Sequence, residues 1–508
     1  MPTDRLFSWL VTTAIAVLAF CMRIPGLGNP NKLVFDETYY PKDAWTLSKF
    51  GYEKAWDDGK VVNPQIVAGN PDVFSPDAAF IVHPQLGKWL IAAGEHLFGM
   101  NSFGWRFPSL IFGVLLIIVT IRLVRRVSRS TVIGGLAGLL LTLDGLHFVM
   151  SRIGLLDIFL AFFVLAAVAC LAVDRDWFRE RLARHLDAKG LSDLGGTFGP
   201  VMLWRPWRMA AGVMFGLACG VKWNGLYALA AFAVLSLAWD IGARRLAGAG
   251  IQAWRGLLVD GVPAFVQTVV IAVPVYVATW ASWLATTGGW ARDWGDNNPA
   301  ALSTRILGKP LASLLHYHSE ILNFHAGDYI NGVEHTYDAR PIGWLVMARP
   351  IGIDAVNDIQ PGTQGCPATA DKCLQVISGA GTPVLWWGAA VALVVAAFWW
   401  IGNRDWRFGI PVVGVLSSWL PWFGSGDRPM FFFYAIVIIP FSVMALSMAL
   451  GRLLGPAGAG ERRMLGAILV GSFAALVAAN FAFLHPILTD KVIPYQSWLA
   501  RMWFKSWI

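Results

Sequence analysis

The sequence predicts an all-α, polytopic membrane protein, and three observations carry that prediction. Of 508 residues, 56% are hydrophobic and only 14% charged, against about 25% charged in ordinary globular domains. Apolar runs close to the roughly 20 residues that cross a bilayer recur from one end of the chain to the other. Many of the 26 tryptophans sit near the ends of those runs, as in interfacial aromatic belts.

In chain order the runs are 6–22, 107–121, 131–149, 153–173, 208–221, 224–239, 262–285, 383–402, 408–424, 429–451 and 464–484, about eleven transmembrane helices. The first follows a short N-terminus and has no small-residue cleavage site, which predicts an uncleaved span. Between 208 and 239, Lys222-Trp223-Asn224-Gly225 predicts a break, because Asn-Gly favours a turn and lysine is costly in lipid. Basic clusters fall between runs: Arg122, Arg125, Arg126 and Arg129; Arg244 and Arg245; Arg404 and Arg407; Arg452, Arg462 and Arg463. They share one side if eleven helices alternate, and the positive-inside rule makes that side cytoplasmic. The N-terminus is then cytoplasmic and the C-terminus extracytoplasmic, in a multi-pass protein of the cell membrane. The net charge of +8 is explained by topology, without a nucleic-acid partner.

Two long extracytoplasmic loops remain, 23–106 and about 286–382, both containing amphipathic segments and both longer than connection requires. Loops of that kind carry function. The chain reads as a single transmembrane domain, 1–508, with no internal repeat. Cys366 and Cys373 share the second loop, where an oxidising compartment predicts a disulfide. Cys21, Cys170 and Cys219 lie in apolar runs and pack as small hydrophobes.

The first loop opens with Phe35-Asp36-Glu37-Thr38-Tyr39-Tyr40, two adjacent carboxylates among aromatics just beyond a membrane exit. An acidic pair there is either a solvated turn or a general base aimed at a substrate anchored in lipid. A second cluster, His83-Pro84-Gln85-Leu86-Gly87-Lys88, leads into an amphipathic helix whose start lies near His83. Arg106 closes the loop, as an interfacial arginine or a ligand-holding one. Asp144, Arg152 and Asp157 are the charges of 131–173, and a buried ion pair locking that hairpin is the favoured reading over direct catalysis. Lys222 and Arg428 place further bases at the same outer face. Asp174-Arg175-Asp176 resembles a metal–nucleotide-sugar string, but its charged surroundings predict a solvated turn. His316, His318, His325 and His335 lack the partners of a zinc site and are assigned to acceptor contact or loop packing; no metal is assigned.

Outside the membrane a transferase has no nucleotide sugar, and the chain carries no GxxxxGK[ST] loop. A sugar delivered on a lipid phosphate removes that difficulty. Its leaving group is already a stable anion, so the enzyme needs cations for the phosphate and one carboxylate for the acceptor hydroxyl, half of the two-carboxylate inverting design.

These strings, with Ser151-Arg152-Ile153-Gly154-Leu155-Leu156-Asp157, Pro494-Tyr495 and Arg501-Met502-Trp503-Phe504, resemble the protein O-mannosyltransferases from about residue 20 to the C-terminus. The likeness is strongest to bacterial, actinobacterial-type members, since 286–382 is too short for the soluble MIR insert of eukaryotic ones. Gln85 stands where the second proline of His-Pro-Pro is usual. The resemblance implies the glycosyltransferase C superfamily fold. It also implies inverting transfer of mannose from polyprenyl-phosphate mannose to Ser or Thr of a translocating protein. Asp36 would be the catalytic base and Glu37 would position the acceptor. His83, Arg106 and Lys222, with Arg428, would hold the donor phosphate. Lys88, Asp144, Arg152, Asp157 and Trp223 would support the site; no cofactor is expected. Two other readings are open: a lipid-phosphate donor with a glycan or lipid acceptor, and, less favoured, a transporter of polyprenyl-linked sugars.

Overall fold

The computed structural model describes residues 4–426, 428–456, 458 and 460–508. Each apolar run contains a helix: Arg5–Arg23, Ser102–Ser128, Thr131–Thr142, Asp157–Ala188, Pro206–Val221, Gly225–Arg244, a helical stretch over 261–278, Pro383–Ile401, Trp406–Trp419, Ile439–Leu454 and Glu461–Leu488. Among the described residues, six helical stretches, counting 225–278 as one, are long and apolar enough to cross a membrane. The predicted break falls at Lys222, whose backbone is extended (φ −149°, ψ 142°) between two helices. Gly225 restarts the chain where an added Cβ would meet the Ala218 backbone at 3.0 Å.

The core is built around Asp157–Ala188. Its outer half is buried on every face, as expected of a helix apolar all round, and it packs against Pro206–Val221 and Ser102–Ser128. Ser102–Ser128 is started by Asn101, whose side chain accepts from the backbone N–H of Phe103 and Gly104. That cap fixes the turn carrying Arg106.

The first loop folds over the bundle as the helices Tyr40–Phe50, Gly59–Val67 and Leu86–Phe98. Lys88, buried, joins two of them to the strand between, reaching Asp43 at 3.0 Å and Glu53 at 3.4 Å. Gln85 serves the same joint, donating to Glu53 at 2.8 Å. The helix begins at Leu86, leaving His83 outside it, in a bend.

The helical fold is as expected, with two small sheets added to it: Lys54–Trp56 pairs with Phe74–Ala78, and Ile351–Ile359, Cys373–Gly379 and Val492–Pro494 form a three-stranded antiparallel sheet. The alternation Ile351-Gly-Ile353 was the signal for it. Cys366 and Cys373 are bonded at the start of its middle strand, as expected. Two expectations are corrected. The charges of 131–173 do not pair with one another. Asp144 accepts from His147 N, Thr382 N and Trp386 Nε1, Arg152 donates to the carbonyls of Arg23, Pro25 and Gly26, and Asp157 pairs with Lys222. Nor is Asp174 a solvated turn. It is 1% exposed and closes a buried quartet with Arg205, Arg208 and Asp240 at 2.6–3.1 Å.

Candidate active site

The acidic pair lies on a single 3-10 turn, Phe35–Thr38. Phe35 enters it at φ +47°, a strained conformation for a bulky residue. The edges of Phe431 and Phe433, with centroids 5.8 and 5.7 Å away, wedge its ring in place. The turn sends the two carboxylates in opposite directions, and they have opposite fates.

Glu37 is saturated. Its oxygens accept from Arg106 Nε and Nη2 (both 2.8 Å), from Gly154 N (2.8 Å) and from Val34 N (3.0 Å). Arg106 is equally complete: its other hydrogens go to the carbonyls of Leu27, Pro30 and Lys32 at 2.9–3.3 Å. All five donors of a guanidinium are then occupied. Both side chains are buried. Arg106 therefore has no hydrogen left for a phosphate and Glu37 no free oxygen for an acceptor; together they pin the turn that carries Asp36. Gly154 contributes because a Cβ there would meet the Trp105 ring at 3.1 Å.

Asp36 is left open. Burial pushes its carboxyl up to about 6; Lys222 opposes the rise, Asp157 adds to it, and a hydrogen bond from Tyr40 opposes it. It thus lies within electrostatic reach of Lys222 and Asp157, which line a cavity. That cavity, about 740 Å³, is lined by the polar side chains His83, Asp157, Lys222, Trp223, His318, His325 and Arg428 and by the apolar Leu226, Leu229, Val269, Ala272 and Val273. Asp36 itself is not among the lining residues.

The basic side chains Lys222, Arg428 and His83 reach this cavity from three parts of the chain. Lys222 Nζ lies 3.0 and 2.8 Å from the oxygens of Asp157, in the first turn of its helix, where the dipole favours a carboxylate. Arg428 Nη1 meets His325 Nδ1 at 3.4 Å, while its Nε is buried with no partner among the described residues. His83 stacks on His325 with ring centroids 5.4 Å apart. Burial, then Lys222, then His325, hold its imidazole well below the usual range, so the ring is neutral.

The four histidines of the second loop separate. His318 and His325 line the cavity. His316 stacks on Trp294 at 4.8 Å, and His335 packs against Phe431 at 4.8 Å; neither lines the cavity. They do not act as a group. Tyr276 and Tyr434 also line the cavity and were not anticipated; a tyrosine inside an apolar run must find a partner for its hydroxyl, and that was the available signal. Among the described residues no three His, Cys, Asp or Glu side chains gather as metal ligands.

Comparison with known proteins adds to this geometry. Residues 13–188 match the family described as dolichyl-phosphate-mannose-protein mannosyltransferase. Residues 310–507 match the C-terminal four-transmembrane region of protein O-mannosyltransferases. The chain is 39% identical over 512 residues to the polyprenol-phosphate-mannose–protein mannosyltransferase of Mycobacterium tuberculosis, covering 100% of this chain and 93% of the relative. To the Corynebacterium glutamicum protein of the same name it is 33% identical, over 99% of this chain and 93% of that one. A solved Saccharomyces cerevisiae protein O-mannosyltransferase complex, bound to the sugar donor, aligns with a TM-score of 0.70 over 100% of this chain and 93% of that one, at 13% identity. An Archaeoglobus fulgidus oligosaccharyltransferase aligns at 0.52, 14% identical, over 97% of this chain and 55% of that one. These likenesses establish the glycosyltransferase C fold.

Proposed function

The chain belongs to the polyprenol-phosphate-mannose–protein mannosyltransferase family, and on that premise we propose how its own residues carry out the transfer. The donor is polyprenyl-phosphate mannose; the acceptor is a Ser or Thr hydroxyl of a polypeptide, taken during its translocation. Asp36 removes the hydroxyl proton as the oxygen attacks the anomeric carbon of mannose from the face opposite the phosphate. The bond from that carbon to the phosphate oxygen breaks, the configuration inverts, and the lipid phosphate leaves with its electron pair. Charge grows on the phosphate in the transition state, so cations already in place stabilise that state more than the ground state. Lys222 and Arg428 supply them, and neutral His83 supplies a hydrogen-bond donor.

One observation carries this reading: a single cavity is lined by both cationic and apolar surfaces, with an arginine Nε that has no partner among the described residues. An amphiphile with a phosphate head and a prenyl tail matches both kinds of lining. The site faces the exterior of the cell membrane, the N-terminus lies in the cytoplasm and the C-terminus outside, as the basic clusters expect.

The test is transfer by the purified full chain from polyprenyl-phosphate mannose to a Ser/Thr peptide, read by mass spectrometry. The expected product is a peptide heavier by one hexose, α-linked if the donor is β-linked. A hexose recovered on lipid or glycan, with none on peptide, contradicts the assignment of the acceptor.

A further inference from the structure

The second outer loop is the part of the chain that sequence reading assigns to acceptor or donor contacts, with its histidines given to acceptor contact or loop packing. Its long helix, Lys309–Ala326, turns a different face to the molecule. His318, Leu322 and His325 follow one another at four and three residues, one face of a helix, and all three line the donor cavity.

Each of the two histidines is fixed in one tautomer by a backbone carbonyl, which can only accept. His318 Nδ1 lies 2.7 Å from Leu314 O and therefore donates to it. Its Nε2, 2.6 Å from the Tyr276 hydroxyl, accepts. The Tyr276 oxygen in turn accepts from Trp223 Nε1 at 2.9 Å, so every proton in the chain Trp223–Tyr276–His318–Leu314 has one place. Trp223, adjacent to Lys222, also stacks on the His318 ring at 5.7 Å. Likewise His325 Nε2 donates to Val82 O at 2.9 Å, which leaves Nδ1 to accept from Arg428. The same helix receives Ile81 N on the Tyr317 hydroxyl at 2.8 Å. Residues 81 and 82 are thus bound on both sides of the peptide that leads into His83. One helix face fixes three separate chain segments, those bearing Lys222, His83 and Arg428.

We propose that Lys309–Ala326 shapes the donor pocket, with His318 and His325 as positioning residues that hold the phosphate-binding groups through accepted hydrogen bonds. Neither histidine transfers a proton. Burial keeps both rings below the ordinary imidazole range, consistent with the acceptor role, because a protonated ring would offer no lone pair to Tyr276 or Arg428. This rests on the reading of the cavity as the site of a lipid-phosphate sugar.

The experiment is steady-state kinetics of the full chain, varying polyprenyl-phosphate mannose and peptide separately. His325→Phe removes both hydrogen bonds; His325→Gln can still donate to Val82 and accept from Arg428. The phenylalanine variant is expected to raise the donor KM about tenfold or more, the worth of a hydrogen bond to a charged group, with peptide KM unchanged. The glutamine variant is expected to stay within about threefold of wild type. Tyr276→Phe removes one hydroxyl and keeps the ring, so it tests the His318 arm should His325→Phe not fold; it is expected to raise donor KM about fivefold. A folded Tyr276→Phe or His325→Phe protein with wild-type donor KM overturns the proposal, as does a change confined to peptide KM. Absence of transfer by the wild-type chain from this donor would instead defeat the functional reading beneath it.

Discussion

The helices Asp157–Ala188 and Pro206–Val221 run side by side, with a buried ionic cluster at each end of the shorter one, Pro206–Val221. Asp157 and Asp174 are 17 residues apart on one helix, about 26 Å. At one end, Asp174 and Asp240 meet Arg205 and Arg208 in four contacts, two acids against two bases. At the other, Lys222 holds Asp157 beside a cavity, with Asp36 within electrostatic reach and Arg428 Nε without a partner among the described residues. Burial is common to both ends; completeness is not. A closed cluster neutralises itself and has nothing left for a ligand, whereas an open one retains the charge that a ligand must match. The Glu37–Arg106 pair, a few residues from Asp36, belongs with the closed kind although it lies at the working end.

This contrast can be broken by substitution, and the largest effect is expected at Asp36. Asp36→Asn should lower turnover by about 10²- to 10⁴-fold, the usual contribution of a general base, while thermal stability in detergent and donor binding stay near wild type. Arg106→Met comes next, with a different signature. It strands a buried Glu37, so the protein should lose about 3–5 kcal/mol, seen as a lower melting temperature and poor yield rather than a raised donor KM. Asp174→Asn sharpens the comparison from the other end: a measurable fall in melting temperature, with both KM values unchanged.

The pH dependence is smaller over the physiological range. A base works ionised, and burial holds the Asp36 carboxyl near 6. Transfer should therefore be full above about pH 7 and fall with decreasing pH through about 6, approaching tenfold per unit below it. A profile flat from pH 7 to 5 would remove Asp36 from the role of base. Replacing both Cys366 and Cys373 by Ser should have the smallest effect on transfer. It relaxes a short loop at the start of the sheet's middle strand, costing about 2–3 kcal/mol of local stability, which limited proteolysis of residues 360–373 would register.

Much of this architecture was legible because hydrophobicity is written locally. The apolar runs and the break at Lys222 follow from neighbouring residues alone. So did the gathering of Lys222, His83 and Arg428, through the rule that charge in an apolar chain collects where water or a ligand can meet it. What escaped reading depends on distant partners. Arg106 looks like a ligand-holding base until three carbonyls of the 27–32 turn and Glu37 converge on it. Asp174 looks solvated until Asp240, Arg205 and Arg208 arrive from two other helices. His318 and His325 were read with the other histidines, as acceptor contacts or loop packing, because their loop was read as a unit, whereas the helix carrying them divides its histidines between faces.

The most direct test of the distinction between open and closed clusters is the affinity of polyprenyl phosphate, the leaving group, for wild type, Lys222→Met and Asp174→Asn, measured as product inhibition of transfer. Lys222→Met is predicted to weaken that inhibition about tenfold or more, with Asp174→Asn indistinguishable from wild type. Equal weakening in the two variants, or none in Lys222→Met, would contradict the account.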